Sequence, residues 1–161
     1  MVELGFITVE EEANMRIKQS VCCPVLKPED MDLEDFFREV SRIGYAAVEI
    51  WYRGDDFEEF VELAHKNGLA VASMCGHSSL SDGLNKRSNH ERIEEELRQS
   101  IDVAARHGIP GLICFSGNGQ PYQSEIEAIK AVADGLSRIA RYARGWGARG
   151  LSFSTISTTC R

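Results

Sequence analysis

Five residues have the type and placement to do polar chemistry: Glu49, Trp51, His77, Asn85 and Arg87. Glu49 sits inside the apolar run Ala-Ala-Val-Glu-Ile-Trp at 46–51, where a carboxylate is costly to bury without partners. It reads either as a site-lining group or as a structural carboxylate held by an arginine or by backbone N–H groups. His77 follows the apolar run that ends at Cys75 and Gly76. A histidine there could bind a polar substrate, move a proton or ligate a metal, or be structural. Trp51 could stack on an apolar ligand face or simply pack in a core. Asn85 and Arg87 lie in a polar loop and could close over an anionic or hydroxylated ligand. Asn85 could equally hold its own loop through a backbone hydrogen bond.

These residues share a location. Apolar runs at about 17–23, 46–51, 69–75 and 111–116 read as short strands, and amphipathic helical patterns alternate with them. Leu33, Phe36, Phe37, Val40 and Ile43 form one helical stripe, and Phe57, Phe60, Val61 and Ala64 a second. Ile93, Leu97, Ile101, Ala104 and Ala105 form a third, with Glu91 to Glu96 assigned to the solvent side. Ile126, Ile129, Val132, Leu136 and Ile139 form a fourth. Asp32 with Asp35, Ser88 with Glu91 and Ser124 with Glu127 have capping-box spacing. Gly44, Gly68, Gly108 and Gly145 stand where the helices should close. The near-continuous apolar character of 46–51 predicts a strand covered on both faces. In parallel α/β folds the chemistry gathers at the C-terminal strand ends, and all five residues lie at or just beyond such ends.

The totals narrow the classes. With 161 residues the chain can bury one sizeable core. A net charge of -7 argues against a nucleic-acid partner, whose binding face would be basic. No apolar run approaches the ~18 residues of a membrane span, and acidic residues occupy the place of a signal peptide's basic region. The expected location is cytoplasmic. Five cysteines without a Cys-x-x-Cys pair read as buried thiols rather than as a zinc site or a disulfide framework. No Gly-x-Gly-x-x-Gly follows the first strand, which disfavours a dinucleotide fold. Periodicity leaves a (β/α)8 barrel and other parallel arrangements open.

Several stretches in order resemble hydroxypyruvate isomerases of the xylose isomerase-like TIM-barrel superfamily of sugar isomerases and epimerases. They are Arg16 to Cys22, Gly44 to Ile50, Gly76-His77 with Asp82 to Asn85, Asn89 to Leu97, and Gly111 to Gly117. The resemblance covers about 15–143. It implies an α/β fold of (β/α)8 TIM-barrel type, here stopping after four β-α units. It implies a small hydroxy-carbonyl or sugar substrate in full-length relatives, interconverted through an enediol by glutamates, often with a divalent cation (Mg or Mn). The resemblance places the catalytic and metal-binding groups on the fifth and later strands. The fifth-strand region here reads Leu-Ser-Phe-Ser-Thr-Ile-Ser from Leu151 and carries no glutamate. No catalytic residue is therefore carried over, no metal ligand is assigned, and no cofactor is expected in this chain itself. Glu49, His77 and Asn85 match first-half positions on the substrate side or in supporting loops. The expected organisation is an extension at 1–14, the first half of a barrel at 15–144 and a Ser/Thr-rich tail at 145–161, possible as a reading-frame product or as a short relative. The expectation is isomerase-like or epimerase-like architecture without activity in the isolated chain. The alternative is a non-catalytic half barrel that binds a partner or self-associates. A metal-dependent apurinic-site endonuclease would need several strand-end histidines and carboxylates, and His77 is isolated.

Overall fold

The computed structural model describes residues 17–145 and a strand at 152–156. The expected extension at 1–14 and the tail apart from that strand lie outside the described residues. The described chain runs β1 (Ser20–Cys22), α1 (Leu33–Ile43), β2 (Ala47–Ile50), α2 (Phe57–Lys66), β3 (Ala70–Cys75), α3 (His90–His107), β4 (Gly111–Phe115), α4 (Glu125–Gly145) and β5 (Ser152–Ile156).

The five strands form one parallel sheet in the order β1-β2-β3-β4-β5. That order chooses between the folds that periodicity leaves open. Successive right-handed crossovers that never reverse direction put every helix on one face, whereas a doubly wound sheet reverses its strand order. The described chain is an incomplete (β/α) barrel. The weak strand expected around Leu151, Phe153 and Ile156 is β5, paired with β4 from Gly111–Ser152 to Phe115–Ile156.

The two sheet faces differ. Val21, Val48, Val71, Met74, Leu112 and Cys114 are buried and belong to one cluster with Phe37, Phe60, Ile93, Leu97 and Ile139 from the helices. Ser20, Cys22, Glu49, Ser73 and Ile113 are half-buried on the other face, and Ala47, Cys75 and Phe115 on that face are buried. β2 itself has one buried and one half-buried residue on each face, Ala47 with Glu49 and Val48 with Ile50. The register of β2 and β3 slips between Val48 and Glu49, with Val48 opposite Val71 but Glu49 opposite Ser73. The extra residue, Ala72, lets both Val71 and Met74 face the helices three positions apart.

Local signals explain most boundaries. The Asp32 side chain accepts from the Glu34 N–H at 2.8 Å and caps α1, while Asp35 pairs with Arg38 instead of closing a box. Ser124 and Glu127 form the reciprocal box at the start of α4, with backbone-to-side-chain distances of 2.9 and 3.3 Å. The box expected of Ser88 and Glu91 does not form. A single 3-10 turn at Arg87–Asn89 precedes α3, and its N-cap, Asn89, donates instead to the Asp82 and Gly83 carbonyls. The first strand is shorter than expected because Pro24, at the first turn of a short helix Cys23–Leu26, starts helical backbone at once. Gly44, Gly68 and Gly108 follow their helices with φ of 104°, 73° and 66°. Gly145 is the last described residue of α4.

Candidate functional site

The half-buried sheet face carries Glu49. Its Oε1 accepts a hydrogen bond from the Ser20 hydroxyl on β1. Among the described residues the carboxylate is held by a serine, neither by an arginine nor by backbone N–H groups. Cys22 stands opposite Glu49 in the register. Burial, and then the Glu49 charge, push the Cys22 thiol above its usual range. Burial raises Cys23 and Cys114 to about 12 and Cys75 to about 11. These are thiols, not thiolates, at neutral pH, which leaves none of them poised as a nucleophile.

A second location lies at the C-terminal ends of β2 and β3. Trp51, Tyr52, Arg53, His77, Glu96 and Gln99 help line a cleft of about 230 Å³ there. His77 is 3% exposed, and its Nε2 accepts the Phe115 N–H at 2.8 Å. A ring nitrogen that accepts from an amide carries no proton, so in the neutral ring the proton sits on Nδ1. That Nδ1 has no hydrogen-bond partner among the described residues. Glu96, expected on the solvent side, reaches into this region. Its Oε2 accepts from the Ser78 N–H at 2.7 Å and the Ser78 hydroxyl at 3.0 Å, and its Oε1 takes Arg92 at 2.6 Å. Burial alone would raise the Glu96 pKa, but these donors hold it below the ordinary value.

Burial also draws His77 below the usual histidine value, outweighing the opposing influence of Glu96. Above about pH 6.5 neither the folded nor the unfolded chain binds a proton there. Below it the unfolded chain binds one first, so folding stability falls as pH drops through the window below about 6.5. A urea midpoint measured from about pH 7.5 to about 5.5 is expected to decline. Gln in place of His77, which still offers an acceptor to Phe115, is expected to flatten that decline. An equal slope in both proteins would remove His77 as its source.

Asn85 and Arg87 belong to a third location. They line a cleft of about 700 Å³ with Lys86, Gln120, Tyr122 and Lys130. Asn85 is 3% exposed and works as a strut: its Nδ2 donates to the Asn118 carbonyl at 2.6 Å, and its own carbonyl accepts from Gln123 at 2.7 Å. Arg87 pairs with Asp134 at 2.5 Å, both side chains being more than half exposed. The long loop after β3 is not a loose flap. Its backbone runs beside the end of β4, with Leu84 N–H to Phe115, Asn85 N–H to Ser116 and Asn118 N–H to Ser81, at 2.8–3.1 Å.

The five sequence candidates therefore divide between three places: Glu49 on the sheet face, Trp51 and His77 in one cleft, Asn85 and Arg87 in another. Sequence reasoning missed Ser20, Tyr52, Glu96 and Gln99. Only Ser20 carried a signal, as a hydroxyl on a strand that neighbours the Glu49 strand. A divalent cation of the kind the resemblance implies needs several converging oxygen or nitrogen ligands. Among the described residues no three His, Cys, Asp or Glu converge in that way. The residues described do not form such a site. No helix among them is long and apolar enough to cross a membrane.

The family model described as "Xylose isomerase-like TIM barrel" matches residues 37–151. No curated protein matches the chain. Among solved structures, a sugar phosphate isomerase/epimerase from Parabacteroides distasonis superposes with a TM-score of 0.65 at 17% identity, covering 87% of this chain and 51% of that one. The 3-keto-D-glucoside 4-epimerase of E. coli gives 0.63 at 18% identity, covering 89% and 56%. A D-psicose 3-epimerase solved in the presence of D-fructose gives 0.61 at 13%, covering 85% and 51%. At such identities the likeness is one of fold. The chain spans about half the length of these structures.

Proposed function

We propose, since this chain belongs to the xylose isomerase-like TIM barrel family, that it supplies one wall of a sugar isomerase/epimerase-type barrel and completes no isomerisation alone. The substrate class of that barrel is small hydroxy-carbonyl compounds, with hydroxypyruvate the leading candidate by motif resemblance. Moving a proton between neighbouring carbons needs a base against the C–H bond and an electrophile for the developing enediolate. The observation that carries the reading is the isolation of Glu49. It is the carboxylate on the half-buried sheet face, its partner is a serine hydroxyl, and it belongs to no metal-competent cluster among the described residues. His77 lines a separate cleft with its Nε2 already engaged. A base without an electrophile forgoes the larger part of the stabilisation.

The half-buried sheet face also supports an association role, with a partner or a second copy lying over the sheet. Sedimentation of the purified chain tests this, a strictly monomeric species counting against self-association. The catalytic reading is tested by a steady-state assay with hydroxypyruvate, with and without magnesium or manganese. The expected result is no turnover above the protein-free rate. Turnover that disappears in Glu49→Gln would overturn the reading.

A further inference from the structure

We propose that Asn118 is a site of self-modification, losing its side-chain amide to attack by the backbone nitrogen of Gly119. The pair lies in the turn after β4, both residues exposed to solvent. In the step, the Gly119 nitrogen bonds to the Asn118 Cγ and the Cγ–Nδ2 bond breaks. The proton lost from the attacking nitrogen passes through water to the departing NH2 group, which leaves as ammonia. A cyclic imide remains. Water opens it at either carbonyl, leaving an aspartate or an isoaspartate, with no oxidant, metal or partner consumed.

The reactive form of the Gly119 nitrogen is the deprotonated amide, whose negative charge spreads onto the Asn118 carbonyl oxygen. That oxygen already accepts two hydrogen bonds, from Asn85 Nδ2 at 2.6 Å and from Gln120 Nε2 at 2.8 Å. Donors preset where charge develops stabilise it, which makes the Gly119 N–H more acidic. The arrangement is fixed from both sides. The Asn118 N–H donates to the Ser81 carbonyl at 2.8 Å, and the Asn85 carbonyl is held by Gln123 at 2.7 Å. Glycine also puts no side chain beside its nitrogen. At Gly119 no heavy atom among the described residues lies within 4 Å of where a Cβ would stand, which leaves room for the ring. A second Asn-Gly pair, Asn67–Gly68, has the opposite setting at the end of α2. The Gly68 N–H donates to the His65 carbonyl at 2.9 Å, and Asn67 Nδ2 donates to the Leu63 carbonyl at 2.9 Å. Nucleophile and side-chain amide are both tied there, and the segment must open locally before they meet. At Asn118 the isoaspartyl product adds an atom to the backbone where the β3 and β4 loops cross. It also turns the carbonyl that Asn85 holds into a carboxylate.

The test is incubation of the whole chain in mildly alkaline buffer, followed by digestion and mass spectrometry of the peptides that carry Asn67 and Asn118. Isoaspartate is read by labelling with an isoaspartyl methyltransferase. In the folded chain Asn118 is expected to convert at least about tenfold faster than Asn67. In the urea-unfolded chain the two rates should converge, since both are then plain Asn-Gly pairs. Gln120→Ala is expected to slow Asn118 in the folded chain by about two- to tenfold, the worth of one neutral hydrogen bond, and to leave the unfolded rate unchanged. An intact Asn118, equal conversion of the two asparagines in the folded chain, or a folded Gln120→Ala rate equal to that of the parent would each overturn the assignment.

Discussion

Replacing Gly83 with alanine is expected to lower the unfolding free energy by roughly 3 kcal/mol, the upper range for forcing an extra methyl into a packed site. A Cβ at 83 would stand 2.4 Å from the Gly117 nitrogen and the Phe115 carbonyl oxygen, and 2.5 Å from the Ser116 carbonyl carbon. All three are backbone atoms, so no side-chain rotation relieves the clash. The backbone cannot yield cheaply either. Leu84 and Asn85 donate to Phe115 and Ser116, Asn118 donates to Ser81, and the Phe115 N–H is held by His77. Gly117 is constrained from its own side, with φ of 89° and Asn85 Oδ1 2.6 Å from where its Cβ would be. Two glycines let the β3 and β4 loops cross at backbone contact, and that crossing sets the positions of His77 and Asn85. The check is a urea midpoint compared with Gly119→Ala, where nothing lies within 4 Å and a change within about 0.5 kcal/mol is expected. Similar midpoints for the two variants would show that the crossing is looser than described.

Phe37→Ala is expected to cost about 3–5 kcal/mol, a large part of the 5–15 kcal/mol typical of a domain. Phe37 on α1 is fully buried and meets Phe60 on α2 edge-on, ring centroids 5.0 Å apart and planes at 85°. Removing the ring leaves a void between two helices and the β1–β2 sheet. The comparison is Ile43→Ala on the same helix, where the side chain is 65% exposed and the change should stay within about 0.5 kcal/mol. Equal losses at the two positions would contradict the placement of the core.

The frame was legible in the sequence because strand and helix periods differ and because the strand-helix alternation repeats. Val48, Leu112 and Cys114 read as strand core, Phe37 and Leu97 as helix core, and all are buried. The functional geometry was legible only one residue at a time. Ser20 could be read as a strand hydroxyl, but it lies 29 residues from Glu49 and meets it only because β1 and β2 pair in that register. The His77 partner is a backbone amide 38 residues on, with no side-chain signature at all. Ser88 and Glu91 show the converse. Their spacing fits a capping box, but a 3-10 turn delays the helix to His90, so the pattern is present without the contact. Glu96 was misread for a related reason. An amphipathic stripe assigns faces along a helix but not the neighbours beyond its edge, and Ser78 lies there.

Glu49 has no electrophile beside it among the described residues, and proton exchange probes that before any product is needed. The chain is incubated with hydroxypyruvate in deuterated water, with and without magnesium or manganese, and loss of the hydroxymethyl proton signal is followed by NMR. A base and an electrophile acting together accelerate general acid-base proton transfer by roughly 10² to 10⁴-fold. Exchange no faster than in protein-free buffer is expected under every condition. Exchange accelerated by the chain and abolished in Glu49→Gln would contradict it, showing that this wall of the barrel carries its own chemistry.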